Sequence, residues 1–280
     1  MDALSTFHIL AKVSMAFAIG DALGAIFEFE NPTKNEILHR FHNNDPIKFT
    51  DDTLLILSTV KAFFKTKEIL NKNNLNFWPT LSICTCQQLY DWYISHDYRG
   101  IGDTTLASLK QISSYFEQNE NFEGFTLYTK RGYQYENSAG NGALSRSLPL
   151  IILNFPVDQD FCKWISLTHL HTDAHSSVID LAKFVEKKII PSFNLTENAK
   201  GFYAPETLSI AIRAIQQSKS IEEVFYKSII AEGDNDSICA LSFALWYYER
   251  EMDFEFNRIF NRLKAGDDTS IFVNDYISWF

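Results

Sequence analysis

Two adjacent carboxylates stand between two threonines in Thr50-Asp51-Asp52-Thr53, and an apolar run follows at once through Leu54, Leu55, Ile56, Leu57, Val60, Ala62, Phe63 and Phe64. Neighbouring carboxylates repel each other and are costly to dehydrate, so a pair leading into a buried helix needs positive charge. Lys48 is the nearby side-chain cation, and one ammonium does not offset two deep carboxylates. A helix N-terminus helps, because its free N–H groups and dipole favour anions. A hard divalent cation would do more, since it takes carboxylate and hydroxyl oxygens as ligands. A second cluster, Asp234-Asn235-Asp236-Ser237, also precedes an apolar run. Thr50, Asp51, Asp52, Asp234, Asp236 and Ser237 together offer six oxygen donors, four of them carboxylates. That set suits one or two Mg²⁺ or Mn²⁺ ions. It is not an EF-hand, for Cys239 stands where that loop needs Gly and Leu245 where it needs Glu. The competing reading is that both clusters merely cap helices.

Other residues offer weaker signals. Gly140-Asn141-Gly142 can present free N–H groups to a phosphate at a helix start, or form an ordinary turn. Arg146, one turn on, could reach an anion or pair with a surface carboxylate. Glu28 follows Ala25-Ile26-Phe27, as a solvated surface residue or as a carboxylate held for acid–base work. His169 and His171 form an HxH without HExxH spacing, which argues against zinc and for ordering a polar ligand or capping a helix. Cys84, Cys86, Cys162 and Cys239 lack zinc-like spacing, so they are expected to be reduced, with Cys84 and Cys86 in the core.

The elements that must position these residues read as helices. Phe7, Leu10, Ala11, Ser14 and Phe17 recur at helical spacing, and apolar residues do so again in most later segments, roughly ten in all, with no strand-like alternation. Gly20 and Gly24 allow a close backbone approach or a break in the first helix. Residues 29–49 and 117–137 read as two long polar loops. Apolar residues make up 46% of the 280-residue chain, including 24 Phe, 12 Tyr and 5 Trp, enough for a sizeable core. A net charge of −10 argues against a nucleic-acid surface, which needs a basic stripe. No signal peptide or membrane span is expected. The expectation is one all-α domain over residues 1–280, cytoplasmic and monomeric.

The motifs in this order resemble the ADP-ribosylglycohydrolase family, which includes dinitrogenase-reductase-activating glycohydrolase and the ADP-ribosyl-acceptor hydrolases. The matching stretches are Gly20-Asp21-x-x-Gly24-x-x-x-Glu28, Thr50-Asp51-Asp52-Thr53, Gly140-Asn141-Gly142, Thr168-His169-x-His171 and Gly233-Asp234-Asn235-Asp236-Ser237. The pairing of the second with the last is the specific one. The resemblance implies an orthogonal helical bundle with a binuclear Mg²⁺ or Mn²⁺ centre held by Thr50, Asp51, Asp52, Asp234, Asp236 and Ser237. It also implies Glu28 on a movable loop over the ligand, with Glu28, Asp51, Asp52 and Asp236 as catalytic candidates. Gly140, Asn141 and Gly142 would hold a diphosphate, and His171 and Gly102 would line the cleft. Ser237 replaces the usual Thr and keeps the hydroxyl; Asn235 replaces a common Thr and is expected to point away; Thr172-Asp173 replaces a segment that often contains Pro. Arginine-directed members resemble one another in a carboxylate just before Ile101-Gly102, where this chain has Gly100, which looks more like members that cleave O-linked ADP-ribose. The implied activity is metal-dependent release of ADP-ribose from a modified protein. The alternatives weighed are a non-catalytic ADP-ribose-binding or immunity protein and another dimetal hydrolase acting on a nucleotide-like substrate.

Overall fold

The computed structural model describes residues 3–125, 139–187, 189–190, 200–231 and 233–267. Among these lie twelve α-helices: α1 (Ala3–Gly24), α2 (Lys34–His42), α3 (Asp51–Lys72), α4 (Phe77–Ser95), α5 (Asp103–Asn119), α6 (Gly142–Ile152), α7 (Gln159–Ile165), α8 (Thr172–Lys187), α9 (Ala204–Gln216), α10 (Ile221–Ile229), α11 (Asn235–Tyr248) and α12 (Phe254–Gly266). No sheet forms among the described residues; Gly140 and Tyr203 make a single antiparallel bridge. One apolar core runs from Leu10 on α1 to Leu263 on α12.

The centre of the fold is the pair α1 and α11. Two glycines one turn apart on α1 let the α11 backbone lie directly on it. A Cβ on Gly20 would stand 2.7 Å from the Cys239 carbonyl carbon, and one on Gly24 would stand 2.6 Å from the Asp236 Cα. Of the two readings these glycines allowed, close approach is the one realised. The segment Leu4–Phe27 is long and apolar enough to cross a membrane, contrary to the expectation that no stretch would be. Most of it is buried inside the protein, where it serves as the core helix. Gly24→Ala would force α1 and the start of α11 apart at the place where Asp236 is presented. It is expected to cost about 1–3 kcal/mol of stability, measured by denaturant unfolding.

Residues 29–49 are not one long loop. A capping box opens α2, with Thr33 Oγ1 accepting from Glu36 N at 3.4 Å and Thr33 N donating to Glu36 Oε2 at 2.7 Å. Ile37 and Phe41, four apart on one face, are fully buried. Arg258 and Arg262 on α12 both donate to the Phe41 carbonyl in the last turn of α2, Arg258 Nη2 at 2.7 Å and Arg262 Nη1 at 3.1 Å. Two apolar residues among many polar ones are a faint periodic signal, and the arginines that complete the helix lie more than two hundred residues away. Between the turn that ends at Phe27 and the start of α2, the stretch without helix shortens to residues 28–33. The second expected loop begins later than 117, because α5 runs to Asn119 and Phe122 and Phe125 are buried. The rest of that loop, with Ser138, lies outside the described residues.

Candidate functional site

The chain enters α3 at Thr50, whose extended backbone makes it the N-cap, yet its own side chain caps nothing. The orphan N–H groups are met instead from α1. Asp21 is fully buried and accepts from Thr50 N at 3.0 Å, Thr50 Oγ1 at 2.8 Å, Thr53 N at 3.0 Å and Thr53 Oγ1 at 2.5 Å. Both threonines of the tetrad are thus locked by one carboxylate that stands opposite the N-terminus of α3. Thr50 Oγ1 also lies 3.3 Å from Asp236 Oδ2, so its one proton serves either Asp21, at the shorter distance, or Asp236. Asp21 lies in one of the stretches that resemble the family, but no role was given to it there, and the residues around it showed only a lone carboxylate within an apolar helix.

Asp52, from α3, and Asp234 and Asp236, from the start of α11, bring one carboxylate oxygen each to within 4.8 Å of one another. All three are buried. Ser237 Oγ donates to Asp52 Oδ2 and Ser145 Oγ donates to Asp52 Oδ1 at 2.6 Å. Asn141 Nδ2 bridges Asp234 Oδ2 and Gly201 O, at 2.9 Å each. Asp51 lies outside the triad but lines the same cavity. Desolvation pushes the Asp51, Asp52 and Asp234 carboxyls up, and the neighbouring carboxylates push them further. Burial, then Asp236 and Asp52, does the same to Asp21. No Lys or Arg lines this cavity among the described residues. Converging buried carboxylates and hydroxyls without a counter-cation are a donor set that fits a hard divalent ion. Ser145 was not anticipated from the sequence. Ser145→Ala would release one Asp52 oxygen and is expected to weaken Mn²⁺ binding about ten- to hundredfold, read by calorimetric titration.

The cavity over the triad has a volume of about 330 Å³. Glu28 reaches it from the turn after α1, Gly100 and Gly102 from the α4–α5 loop, and Gly140, Asn141 and Gly142 from the start of α6. Glu28 is half-buried, and desolvation, then Asp236 and Asp52, raise its pKa to about 7. Asn235 is not among the residues that line the cavity; its Nδ2 donates to Phe27 O at 2.9 Å, which ties the Glu28 turn to the start of α11. Phe29 and Phe202 stack at the rim, 5.9 Å between centroids and 16° between planes. The N-termini of α5 and α6 both face the cavity with no side-chain cap, so their free N–H groups can take an anion.

The two histidines, both expected to order a polar ligand or cap a helix, take different places. His169 lines the cavity. His171 instead accepts from Asp173 N at 3.1 Å with its Nδ1, at the opening of α8. Arg146 neither pairs with a surface carboxylate nor faces the cavity; it is wholly buried under α6 and donates to the Trp164 and Ile165 carbonyls at 3.1 and 3.2 Å.

A family model for ADP-ribosylglycohydrolases matches residues 11–186. A solved structure described as an ADP-ribosylglycohydrolase-related protein complex is similar over 98% of this chain and 99% of its own, with a TM-score of 0.52 and 17% identity. At that identity the likeness bears on the fold alone. No curated protein matches the chain significantly.

Proposed function

The chain belongs to the ADP-ribosylglycohydrolase family, and from that premise we propose that it hydrolyses, with Mg²⁺ or Mn²⁺, the glycosidic bond between ADP-ribose and a protein side chain. The observation that carries the reading is the buried triad of Asp52, Asp234 and Asp236 beneath a cavity also reached by Glu28. The proposal treats residues 1–280 as one domain, acting as a cytoplasmic monomer on an ADP-ribosylated protein or ADP-ribose derivative, without nucleic acid or membrane.

Asp52, Asp234, Asp236, Thr50 and Ser237 would hold the cation, with Asp51 beside them for a second. Bound there, it would supply fixed positive charge for the ribose hydroxyls. Asp21 orients Thr50 for this task through their hydrogen bond. The N–H groups at Gly140, Asn141 and Gly142 would bind the diphosphate, since among the described residues the cavity offers no ammonium or guanidinium. The sugar would pass through an oxocarbenium-like transition state next to the carboxylates. Water adds to the anomeric carbon, the bond to the acceptor breaks, and the acceptor leaves with a proton. Glu28, with both protonation states accessible near neutrality, is the group suited to moving that proton. Phe29 and Phe202 would cover the rim on the acceptor side.

The acceptor we favour is O-linked, as on serine. Gly100 stands where arginine-directed relatives carry a carboxylate. Its φ is +72°, and a Cβ there would stand 3.0 Å from Asp51 Oδ1, so a side chain at this position would be both strained and crowded. The experiment is a panel of serine-linked and arginine-linked ADP-ribosylated peptides with Mg²⁺ or Mn²⁺, read as free ADP-ribose. Release from the serine-linked peptide supports the reading. No release from either, or release of phosphate from nucleotides instead, overturns it.

A further inference from the structure

His169 is buried beside the cavity, and the groups behind it are arranged to decide which of its ring nitrogens carries the proton. Its Nδ1 lies 2.8 Å from Thr168 Oγ1. That hydroxyl is also a partner of Arg146 Nη1. A guanidinium only donates, so Thr168 Oγ1 accepts from Arg146. The hydroxyl proton then needs an acceptor, and among the described residues the other partner of Oγ1 is His169 Nδ1. Nδ1 must therefore be the bare nitrogen and Nε2 the protonated one.

Arg146 cannot easily turn away from this duty. Its Nη2 donates to Trp164 O at 3.1 Å, its Nη1 also to Ile165 O at 3.2 Å, and its guanidinium lies 4.6 Å over the Trp164 ring. The histidine is held as firmly. Its carbonyl bonds His175 Nε2 at 2.8 Å, and the preceding Thr168 carbonyl accepts from Ser108 Oγ at 3.1 Å. Burial, the Arg146 charge and His175 push the His169 pKa down to about 3, so the ring stays neutral with a single N–H. The cavity side of the ring is marked by Gly142, where a Cβ would stand 3.2 Å from Nε2. Among the described residues Nε2 has no hydrogen-bond partner of its own.

We propose that Arg146, acting through Thr168, is a positioning residue that fixes His169 as a neutral Nε2–H donor aimed at an oxygen of the ligand beside Gly142. This rests on the ADP-ribose reading for the identity of that ligand, but the tautomer does not. A diphosphate or ribose oxygen accepts from such a donor. The opposite tautomer would turn a bare nitrogen toward it and repel it.

The test uses full-length protein labelled with ¹⁵N-histidine, with the His169 signals assigned by a His169→Asn variant. Long-range proton–nitrogen correlation is expected to show a bare Nδ1 and a proton-bearing Nε2. Thr168→Val keeps the side-chain shape and removes the relay. It is expected to populate the Nδ1–H tautomer and to weaken ADP-ribose binding roughly tenfold, while Thr168→Ser restores both. The Mn²⁺-induced rise in melting temperature, unchanged across the three proteins, confirms an intact fold. A proton on Nδ1 in the wild type overturns the proposal, and so does a wild-type tautomer in Thr168→Val. Failure of ADP-ribose to bind the wild type would instead sink the functional reading and leave the tautomer assignment standing.

Discussion

Asp236→Ala is expected to abolish the response of the protein to Mg²⁺ and Mn²⁺ and to cut turnover by about a thousandfold or more, roughly 4 kcal/mol of transition-state stabilisation. The same variant should make the cation-free protein more stable, which a merely structural aspartate would not do. Asp236 is among the charges that push Asp21, Asp51, Asp52 and Asp234 upward. A carboxyl whose pKa is higher folded than unfolded favours folding while protonated. Its contribution is complete below the ordinary carboxylate pKa of about 4 and is lost as pH rises through the folded value. For Asp52 that folded value is about 6, and for Asp51 about 9. Without cation the wild type therefore loses stability as pH climbs from the acid side through neutrality. A divalent ion binds the ionised cluster, so its stabilising effect grows in the same direction. Thermal melts are expected to show a larger Mn²⁺ shift near about pH 8 than near about pH 5.5 in the wild type, and no shift at either pH in Asp236→Ala. A wild-type cation shift in the variant would remove Asp236 from the site.

Glu28→Gln is expected to lower turnover by about a hundred- to ten-thousandfold while leaving the Mn²⁺ melting shift in place. The amide keeps the size of the side chain and the turn that Asn235 holds through Phe27 O. It cannot take up or release the proton that the departing acceptor requires. Glu28 contributes no oxygen to the triad, so its loss separates proton transfer from cation binding. Steady-state kinetics with the released ADP-ribose as readout gives the answer. Turnover within a few-fold of wild type would move the proton-transfer role to the aspartates.

What could be read in the sequence follows from what each feature depends on. The paired acids at Asp51-Asp52 and Asp234-Asp236 advertised themselves because each sits directly before an apolar helix, and local sequence alone makes that electrostatic conflict plain. Their meeting needed no alignment of helices to be suspected, only the charge that each left uncompensated. Asp51 and Asp52 were indistinguishable at that level. The helical rotation at the start of α3 decides between them, and it turns Asp52 into the triad. Asp21 was hidden because its partners lie on a helix whose crossing with α1 the sequence does not announce. Ser145 was hidden for the same reason, as one polar residue within the buried α6. The histidines show a subtler limit: two residues apart, His169 and His171 differ in role because α8 starts at Thr172 and takes His171 as part of its opening. Arg146 had the look of an anion ligand, but the Trp164 and Ile165 carbonyls at the end of α7 claim the guanidinium.

The most direct measurement is anomalous diffraction from crystals soaked in Mn²⁺ with ADP-ribose. The account predicts a manganese peak enclosed by Asp52, Asp234, Asp236, Thr50 and Ser237, with the ADP-ribose diphosphate against Gly140-Asn141-Gly142. A crystal that takes up ADP-ribose with no manganese among those residues, or that binds manganese elsewhere, would contradict it.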